Sequence, residues 1–317
     1  MSIPTEWRSR LALPLIAAPM FLISGPQMVI ECCRNGVIGS FPTPNARTPA
    51  ILREWLLQIS QTLTEKDAPW AVNLVVHRSN DRLSQDLELV EEFKPPLVIT
   101  ALGSPKAVIE RVQRYGGRVL ADVNSLKYAR EAAKAGADGL ILVSAGSGGH
   151  TGQMNGFAMV GAVREFFDGI LVLAGGLMTG ASVRSAELLG ADLASMGTRF
   201  IPCQESLADE HYRKMLVESG FEDLVLSNQV TGVAANWLRQ SLDLADITDD
   251  NPGKSTAIDF ADPKGAKRRW TQVRSAGHGV DAIKRSEPAR ELIAGLVNDY
   301  WQAVRRPAFI CTEETLK

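Results

Sequence analysis

Residues 135–145, AGADGLILVSA, join the end of a helix to the start of a strand. The glycine in AGAD closes the helix-like stretch LKYAREAAKAG, as glycine commonly does at the carboxyl end of a helix. The apolar run GLILV that follows shows no polar alternation, as expected for a parallel strand covered on both faces. Residues 189–196, LGADLASM, repeat this pattern. The sequence therefore predicts repeated helix-to-strand units of an α/β fold.

Eight such apolar runs lie between residue 13 and about residue 200, separated by amphipathic stretches such as TPAILREWLLQISQTL. Alternating strands and helices form either a doubly wound sheet or a closed (β/α)8 barrel. Eight units favour the TIM barrel. The predicted strands are PLIAAPM (14–20), VIGSF (37–41), WAVNLVV (70–76), PLVITAL (96–102), RVLADV (118–123), GLILVSA (139–145), ILVLAGG (170–176) and LASMGTRF (193–200).

The alternation stops after residue 203. ESLADEHYRKMLVESGFEDLV (205–225) and VAANWLRQSL (233–242) have the character of helices, and a polar stretch rich in turn residues follows them. Helical periodicity returns in the segment that begins RSAGHGVDAI. The predicted organisation is a barrel formed by residues 1–204 and 272–317, with a smaller helical domain inserted at 205–271, called the lobe below.

Composition limits the classes of partner. A formal net charge of −2 provides no basic surface for nucleic acid and no polybasic membrane patch. A small-molecule substrate is therefore expected. The apolar run at residues 11–23 has the length of a signal-peptide core, but two prolines interrupt it. The cysteines show no CxxC spacing and predict a reducing compartment, the cytoplasm; they are Cys32, Cys33, Cys203 and Cys311.

The glycines after strands seven and eight predict a phosphate site. In a TIM barrel the active site lies at the carboxyl ends of the strands, and phosphate is commonly bound by the loops after strands seven and eight. Backbone N–H groups of glycine turns approach an anion closely, and the next helix presents its positive end. The alternative is that these glycines only form tight turns. The candidate residues are Gly175, Gly176, Gly197 and Thr198, with Ser275 in a later loop.

His150 is the candidate catalytic residue. It lies in the loop SGGHTG directly after strand six, where neighbouring glycines leave a ligand free to approach. An imidazole can take a proton from an activated carbon or hold an anion. The alternative is a loop histidine satisfied by backbone groups. His77, His211 and His278 have weaker positions. The chain carries no HExxH or paired CxxC motif, so no metal is predicted.

Several motifs, in order and spacing, resemble the nitronate monooxygenases, the 2-nitropropane dioxygenase-like flavoproteins. They are PLIAAPM, AVNLVV, SGGHTG, LAGG and MGTRF, with TGVAANWLRQSL and WTQVRSAGHGVDAI in the second half. The resemblance implies a TIM barrel that holds FMN at its mouth, with Met20 and Asn73 against the isoalloxazine, and it makes His150 the catalytic histidine. The full predicted cofactor set is Ala18, Pro19, Met20, Asn73, Asp122, Ala145, Gly149, Gly175, Gly176, Gly197, Thr198 and Ser275.

The chain departs from this family in two places. Phe21, Leu22 and Ile23 follow Met20 where relatives often carry glutamine and glycines, which predicts a narrower and more apolar pocket. Several relatives carry lysine at the end of strand five, where this chain has Asp122. An aspartate at that edge should change the redox behaviour of the flavin. The alternative is that Asp122 only caps a helix.

The resemblance implies an FMN-dependent oxidation of alkyl nitronates, with nitroalkanes as the second substrate type, by O2 to a carbonyl compound and nitrite. The second hypothesis is an NAD(P)H-dependent flavin reductase that acts on a quinone or an enoyl thioester. A third is a non-catalytic barrel that binds a phosphorylated ligand. The expected partners are a small-molecule substrate and O2, with a homodimer as the predicted assembly and no nucleic-acid or membrane partner.

Overall fold

Eight parallel strands close into a barrel, which confirms the predicted TIM-barrel fold. The computed structural model describes residues 2–230, 232–247 and 273–307. The first and last barrel strands pair through Ile16 and Ser195, which closes the ring. The strands up to residue 200 are β1 (Leu15–Ala17), β2 (Ile38–Pro42), β3 (Trp70–Val75), β4 (Leu97–Ala101), β5 (Arg118–Val123), β6 (Gly139–Val143), β7 (Gly149–His150), β8 (Ile170–Ala174) and β9 (Leu193–Met196), of which only β7 lies outside the barrel.

Helices follow the barrel strands and cover their outer faces. Side-chain oxygens accept from the first-turn N–H groups of several of them, including those that begin after Thr48, Ser125, Asn155 and Thr179. The helices are α1 (Thr5–Arg8), α2 (Pro26–Arg34), α3 (Pro49–Thr62), α4 (Leu83–Phe93), α5 (Lys106–Arg114), α6 (Leu126–Lys134), α7 (Gly156–Arg164), α8 (Gly180–Leu189), α9 (Glu210–Glu218), α10 (Arg239–Leu244) and α11 (Ala289–Arg305).

The aspartates of the repeated AGAD and LGAD segments hold neighbouring strands together. The two glycines follow the helices with positive φ angles of 92° and 107°. The carboxylate of Asp138 accepts from the Val119 N–H at 2.9 Å, so it fixes the start of β5 beside β6. The carboxylate of Asp192 accepts from the Leu171 N–H at 2.9 Å and does the same for β8 and β9. The repeated motif is therefore structural.

Two layers of apolar side chains form the core. Alternate residues of each strand point into the barrel, and the others pack against the surrounding helices. The helix-facing set includes Val72, Leu140 and Leu173, which join side chains from α2, α3 and α7. The barrel interior is filled by Ile16, Ile38, Ala71, Leu97, Ile99, Leu120, Ile141, Ile170, Val172 and Leu193.

The lobe differs from the predicted helical domain. A three-stranded antiparallel sheet is formed by β10 (Leu224–Ser227), β11 (Ala235–Leu238) and β7, in the order β10, β11, β7. The prediction of a helix over VAANWLRQSL is wrong at residues 235–238, because pairing with β10 buries Trp237 completely and extends this segment. Helix α10 then begins at Arg239. The division of the chain at residues 205 and 271 stays a prediction, and residues 248–272 lie outside the described part.

Candidate active site

A cavity of about 650 Å³ opens at the carboxyl ends of the strands, where the barrel rule places an active site. It brings together four residues of the predicted site: Pro19, Asn73, Asp122 and His150. Its other walls come from the ends of β2 to β6, from α6 and from the lobe. They include Phe21, Pro42, Pro44, Val75, Asn80, Arg82, Asp86, Ala101, Leu102, Asn124, Tyr128, Glu131, Val143 and Val233.

Asn73 and Asp122 line this cavity because of strand periodicity. Ala71 and Leu120 fill the barrel interior, and a residue two positions further along a strand points to the same side. The Asn73 amide nitrogen donates to the Ile99 carbonyl at 3.3 Å, which orients the amide at the mouth of the barrel. Asn73 and Asp122 thus lie at the top of the barrel, above the apolar layer that fills its interior.

Asp122 does not cap the helix that follows it. The N-cap of α6 is Ser125, whose hydroxyl accepts from the Tyr128 N–H, so the interpretation of Asp122 as a cap is wrong. Burial raises the pKa of the Asp122 carboxyl from 3.8 to about 7. At neutral pH this carboxyl is therefore divided between its protonated and ionised forms.

The lobe fixes the position of His150. Gly149 and His150 form β7 and pair with Asn236 and Ala235 of β11, and the next residue, Thr151, donates its N–H to the Ala234 carbonyl at 3.0 Å. Burial lowers the pKa of the His150 imidazole from 6.5 to about 4. The imidazole is therefore neutral at pH 7, with one ring nitrogen as donor and one as acceptor. The role of His150 in catalysis stays a prediction.

Gly148, Gly277 and Thr198 pack closely together, and Gly175 packs against residues 144–147 of the loop that carries Gly148; these four residues are called the glycine cradle. A Cβ atom placed on Gly148 would lie 2.8 Å from the Gly277 nitrogen and 2.9 Å from the Thr198 Oγ1. Gly175 has a φ angle of 122°, and a Cβ there would lie 3.1 Å from the Ala145 carbonyl oxygen. The Thr198 hydroxyl accepts from the Gly277 N–H at 2.9 Å, which leaves its own proton to donate. These positions therefore require glycine, the residue that lets main chain approach closely in anion-binding turns.

Other predicted cofactor residues lie near the cradle. A Cβ on Gly197 would lie 3.4 Å from the Met20 sulfur and 3.6 Å from the Ala18 Cβ, so these three residues meet where β1 and β9 end. A Cβ on Gly149 would lie 3.8 Å from the Ser275 Oγ. Gly176 has a φ angle of 69° and an open surrounding. The predicted set is thus divided between the cavity and the neighbouring cradle, and its role in binding stays a prediction.

Helix α8 does not present its positive end to the cradle. The Ala181 N–H donates to the Asp299 carboxylate of α11 at 3.1 Å, and Thr179 and Ser182 form a capping box. The first-turn amides are therefore already engaged. The expectation that this helix end would hold a phosphate is wrong, because α11 covers it.

The loop after β1 brings Phe21 to the cavity. Leu22 has a φ angle of 64°, which is unusual for a residue other than glycine. Its N–H donates to the side-chain Oδ1 of Asn45 at 2.7 Å, and the Asn45 side-chain Nδ2 donates to the Met20 carbonyl at 3.0 Å. Asn45 thus stabilises the conformation in which Phe21 forms part of the wall, in agreement with the expected apolar pocket.

Arg82 and Asp86 line the cavity although neither was among the predicted site residues. The Arg82 guanidinium donates to the Asp86 carboxylate at 2.9 Å and to the Ala46 carbonyl at 3.0 Å, and both charged side chains line the cavity. Asp86 is 1% exposed, so it holds the more accessible arginine in one place. Arg82 and Asp86 are four residues apart, just after the loop that follows β3, and this spacing is the sequence signal that indicates an ion pair on one face of a helix.

The family model for nitronate monooxygenase matches residues 7–299. The chain belongs to the nitronate monooxygenase family. It is a flavin oxidoreductase of that family, which confirms the resemblance found in the motifs. The cavity and the glycine cradle described above thus lie at the barrel mouth of a member of this family.

Named relatives differ in activity. The nitronate monooxygenase of Paraburkholderia phytofirmans is 24% identical over 346 residues, which cover 92% of this chain and 93% of the relative. An octahydro-1H-indene-4-carboxyl-CoA dehydrogenase of Rhodococcus jostii is 27% identical over 229 residues, which cover 72% of this chain and 63% of the relative. The structure of a nitroalkane oxidase from Streptomyces ansochromogenes has the same fold, with a TM-score of 0.81, 22% identity and coverage of 95% and 99%.

The remaining histidines of this family member lie outside the cavity wall. The His77 Nδ1 lies 2.8 Å from the Ser79 hydroxyl, and the His278 ring packs edge-on against Phe221 at 5.1 Å.

No helix within the described residues is long and apolar enough to cross a membrane. The described residues also bring together no group of three potential metal ligands, and the prediction of a metal-free site stays a prediction.

The pKa of Asp122 predicts how stability depends on pH. A carboxyl whose pKa rises from 3.8 to about 7 on folding destabilises the fold as pH rises through that interval, by about 4 kcal/mol above neutrality. Asp122→Asn removes this term. We expect the free energy of unfolding of the variant, relative to wild type, to increase by about 3 kcal/mol between about pH 5 and about pH 8.

Thermal unfolding of the flavin-free proteins at both pH values measures this difference, and a shift of several degrees is expected. His150 titrates in the opposite direction, because its pKa falls from 6.5 to about 4 on folding. Its contribution is the same in both proteins and cancels from the comparison. Equal effects of the substitution at the two pH values would contradict the raised pKa of Asp122.

Proposed function

We propose that this protein is an FMN-dependent nitronate monooxygenase, which oxidises alkyl nitronates with O2 to a carbonyl compound and nitrite. The observation that carries the proposal is that His150, Asn73 and Asp122 share one apolar-walled cavity beside the glycine cradle. The relative from Paraburkholderia phytofirmans that bears this name supports it, because its match extends over 92% of the chain.

The glycine cradle suits the single phosphate of FMN. At Gly148, Gly175 and Gly277 the chain segments approach too closely for a Cβ, so main chain would face the phosphate there, and Thr198 adds a hydroxyl donor. Met20, Ala18 and Gly197 would border the ring system, together with Asn73 at the mouth of the barrel. When bound, FMN would supply the exchange of electrons between the substrate and O2.

The protein's own groups would bind and orient the nitronate. His150 is neutral, so its ring N–H can donate a hydrogen bond to a nitronate oxygen without itself giving up a proton. In a cavity of low polarity such a donor stabilises the anion more strongly than water-exposed groups do. Phe21, Val75 and Val143 would surround the alkyl chain and exclude water.

Anaerobic mixing with propyl nitronate tests this function. We expect the flavin absorbance of the purified protein to bleach within the time of turnover, and nitrite to form when O2 is admitted. Parallel mixing with NADH should leave the absorbance unchanged. Bleaching by NADH and none by nitronate would instead identify a reductase.

A reductase is the second candidate, and one observation favours it. The Arg82 guanidinium, held by Asp86, provides fixed N–H donors at the cavity wall, and these suit a substrate with a polar portion larger than that of a small nitronate. The CoA dehydrogenase of Rhodococcus jostii supports a thioester substrate, although the matched region is only 63% of that relative. NAD(P)H would then reduce the flavin, and a quinone or enoyl thioester would be the acceptor.

A further inference from the structure

Residues 273–278, called the linking segment, join the lobe to the glycine cradle. On the side of the lobe, the Leu238 N–H donates to the Arg274 carbonyl at 2.9 Å. On the side of the barrel, the Gly277 N–H donates to the Thr198 hydroxyl at 2.9 Å. Gly277 and Thr198 both belong to the cradle, so the position of the linking segment determines how closely the parts of the cradle meet.

Tyr212 of α9 holds the middle of the linking segment through both backbone groups of Ser275. The Tyr212 hydroxyl donates to the Ser275 carbonyl and accepts from the Ser275 N–H at 3.2 Å. The tyrosine is only 4% exposed, and it belongs to the same apolar cluster as Met215 and Ala276. One buried hydroxyl thus satisfies the donor and the acceptor of a single residue. Its loss would leave both of those backbone groups without this partner.

An ion pair ties the first turn of α9 to the same segment. Asp209, the N-cap of α9, accepts from the Tyr212 N–H at 2.7 Å through Oδ1, and its Oδ2 accepts from the Arg274 guanidinium. That guanidinium lies 5.0 Å from the centre of the Tyr212 ring. Arg274 directly precedes Ser275, so one turn of a lobe helix holds two successive residues of the linking segment.

The hydrogen bonds to Tyr212 also determine which part of Ser275 can meet a ligand. Because the Ser275 N–H is engaged, its side-chain hydroxyl is the donor that it can offer. The Ser275 Oγ lies 3.8 Å from a Cβ placed on Gly149, and a Cβ placed on Gly277 would lie 3.0 Å from the Gly148 nitrogen. Ser275 and Gly277 are two residues apart, so a shift of Ser275 would displace Gly277 from Gly148 as well.

We propose that Tyr212 is a positioning residue for the phosphate of FMN and couples phosphate binding to the lobe. The role rests on the proposed function, because it requires the FMN phosphate at the glycine cradle. Tyr212 does not touch the phosphate; it holds Ser275, and through the chain Gly277, in the arrangement that the cradle requires. Without the hydroxyl, two hydrogen bonds no longer favour this arrangement. Only the fraction of molecules with the linking segment in place then binds the phosphate with full affinity.

Binding of FMN and of riboflavin to flavin-free Tyr212→Phe tests this role. The two ligands differ only in the phosphate, so the ratio of their dissociation constants isolates the contribution of the phosphate. By fluorescence titration, Tyr212→Phe should bind FMN about tenfold more weakly than wild type and riboflavin within about twofold of wild type, since only phosphate binding needs the two lost hydrogen bonds. A purely structural role would weaken both ligands alike, so an unchanged ratio overturns the proposal.

Tyr115→Phe is the matched control. The Tyr115 hydroxyl also donates to a backbone carbonyl, that of Pro95, at 3.0 Å, but Tyr115 follows α5 at the opposite end of the barrel from the cradle. The same substitution there should leave the ratio of the two dissociation constants at its wild-type value. A fall of the ratio as large as in Tyr212→Phe would remove the special role of Tyr212.

Hydrogen exchange of the wild-type protein is a second measurement and needs no variant. FMN should slow amide exchange in the linking segment and in residues 210–213 of α9 more than riboflavin does, because the bound phosphate would stabilise the segment that Tyr212 holds. Equal protection of both regions by the two ligands overturns the coupling to the lobe. Neither measurement involves turnover. Failure of wild type to oxidise propyl nitronate would therefore overturn the proposed function separately.

Discussion

His150→Asn should lower kcat/KM by about 10²–10³ with both propyl nitronate and 1-nitropropane, while the protein keeps its flavin. The reason is that a single buried donor aimed at a developing oxyanion contributes about this factor. Asparagine keeps the backbone pairing of β7 with Ala235 and Asn236, so the loop should stay in place. Steady-state kinetics and the flavin spectrum of the purified variant measure the two effects separately.

His211→Asn serves as the control, since His211 lies exposed on α9. Wild-type kinetics of His150→Asn with both substrates would remove His150 from the mechanism.

Gly148→Ala should weaken FMN binding by at least about 100-fold. Each tenfold change in the dissociation constant corresponds to about 1.4 kcal/mol of binding free energy. The new methyl group would lie 2.8 Å from the Gly277 nitrogen and 2.9 Å from the Thr198 Oγ1. Both neighbours belong to the glycine cradle, and the backbone of Gly277 cannot yield as a flexible side chain would. Overpacking of this kind lowers folding stability by about 1–3 kcal/mol, and the displacement of Gly277 and Thr198 that relieves it would remove their contacts to the phosphate.

Fluorescence titration of the flavin-free protein with FMN measures the dissociation constant. Gly161→Ala is the matched control, because Gly161 lies in α7 with no atom within 4 Å of an added Cβ. Alanine there should leave FMN binding unchanged and stabilise the helix slightly. An equal dissociation constant for the two variants would mean that the phosphate binds elsewhere.

The barrel could be predicted because its signals are local. A strand covered on both faces, such as GLILV, is apolar throughout, and each glycine that ends a helix stands next to the strand it precedes. The strand-end rule then placed Asn73, Asp122 and His150 at one mouth, and all three line the same cavity. The eight strands and this part of the site needed no information from distant residues.

The parts that the sequence did not predict depend on distant partners. Strand β7 is two residues long and exists because Ala235 and Asn236 pair with it. Asp299 occupies the amino end of α8 from 118 positions further along the chain. Likewise, Arg82 lines the cavity only after the loop behind β3 folds across Ala46. Such pairings leave no periodicity in either segment, so pattern reasoning had no signal to use.

The two halves of the barrel mouth differ in the atoms that line them. The glycine cradle consists mostly of main chain, whereas the cavity beside it is walled by side chains such as Phe21, Val75 and Tyr128. A point mutation exchanges a side chain and leaves the peptide group unchanged. Most substitutions in the cavity therefore alter which molecules fit without touching the neighbouring recess. A family with this architecture can change its substrates while the main-chain recess stays the same. This agrees with the different activities named among relatives at 24% and 27% identity.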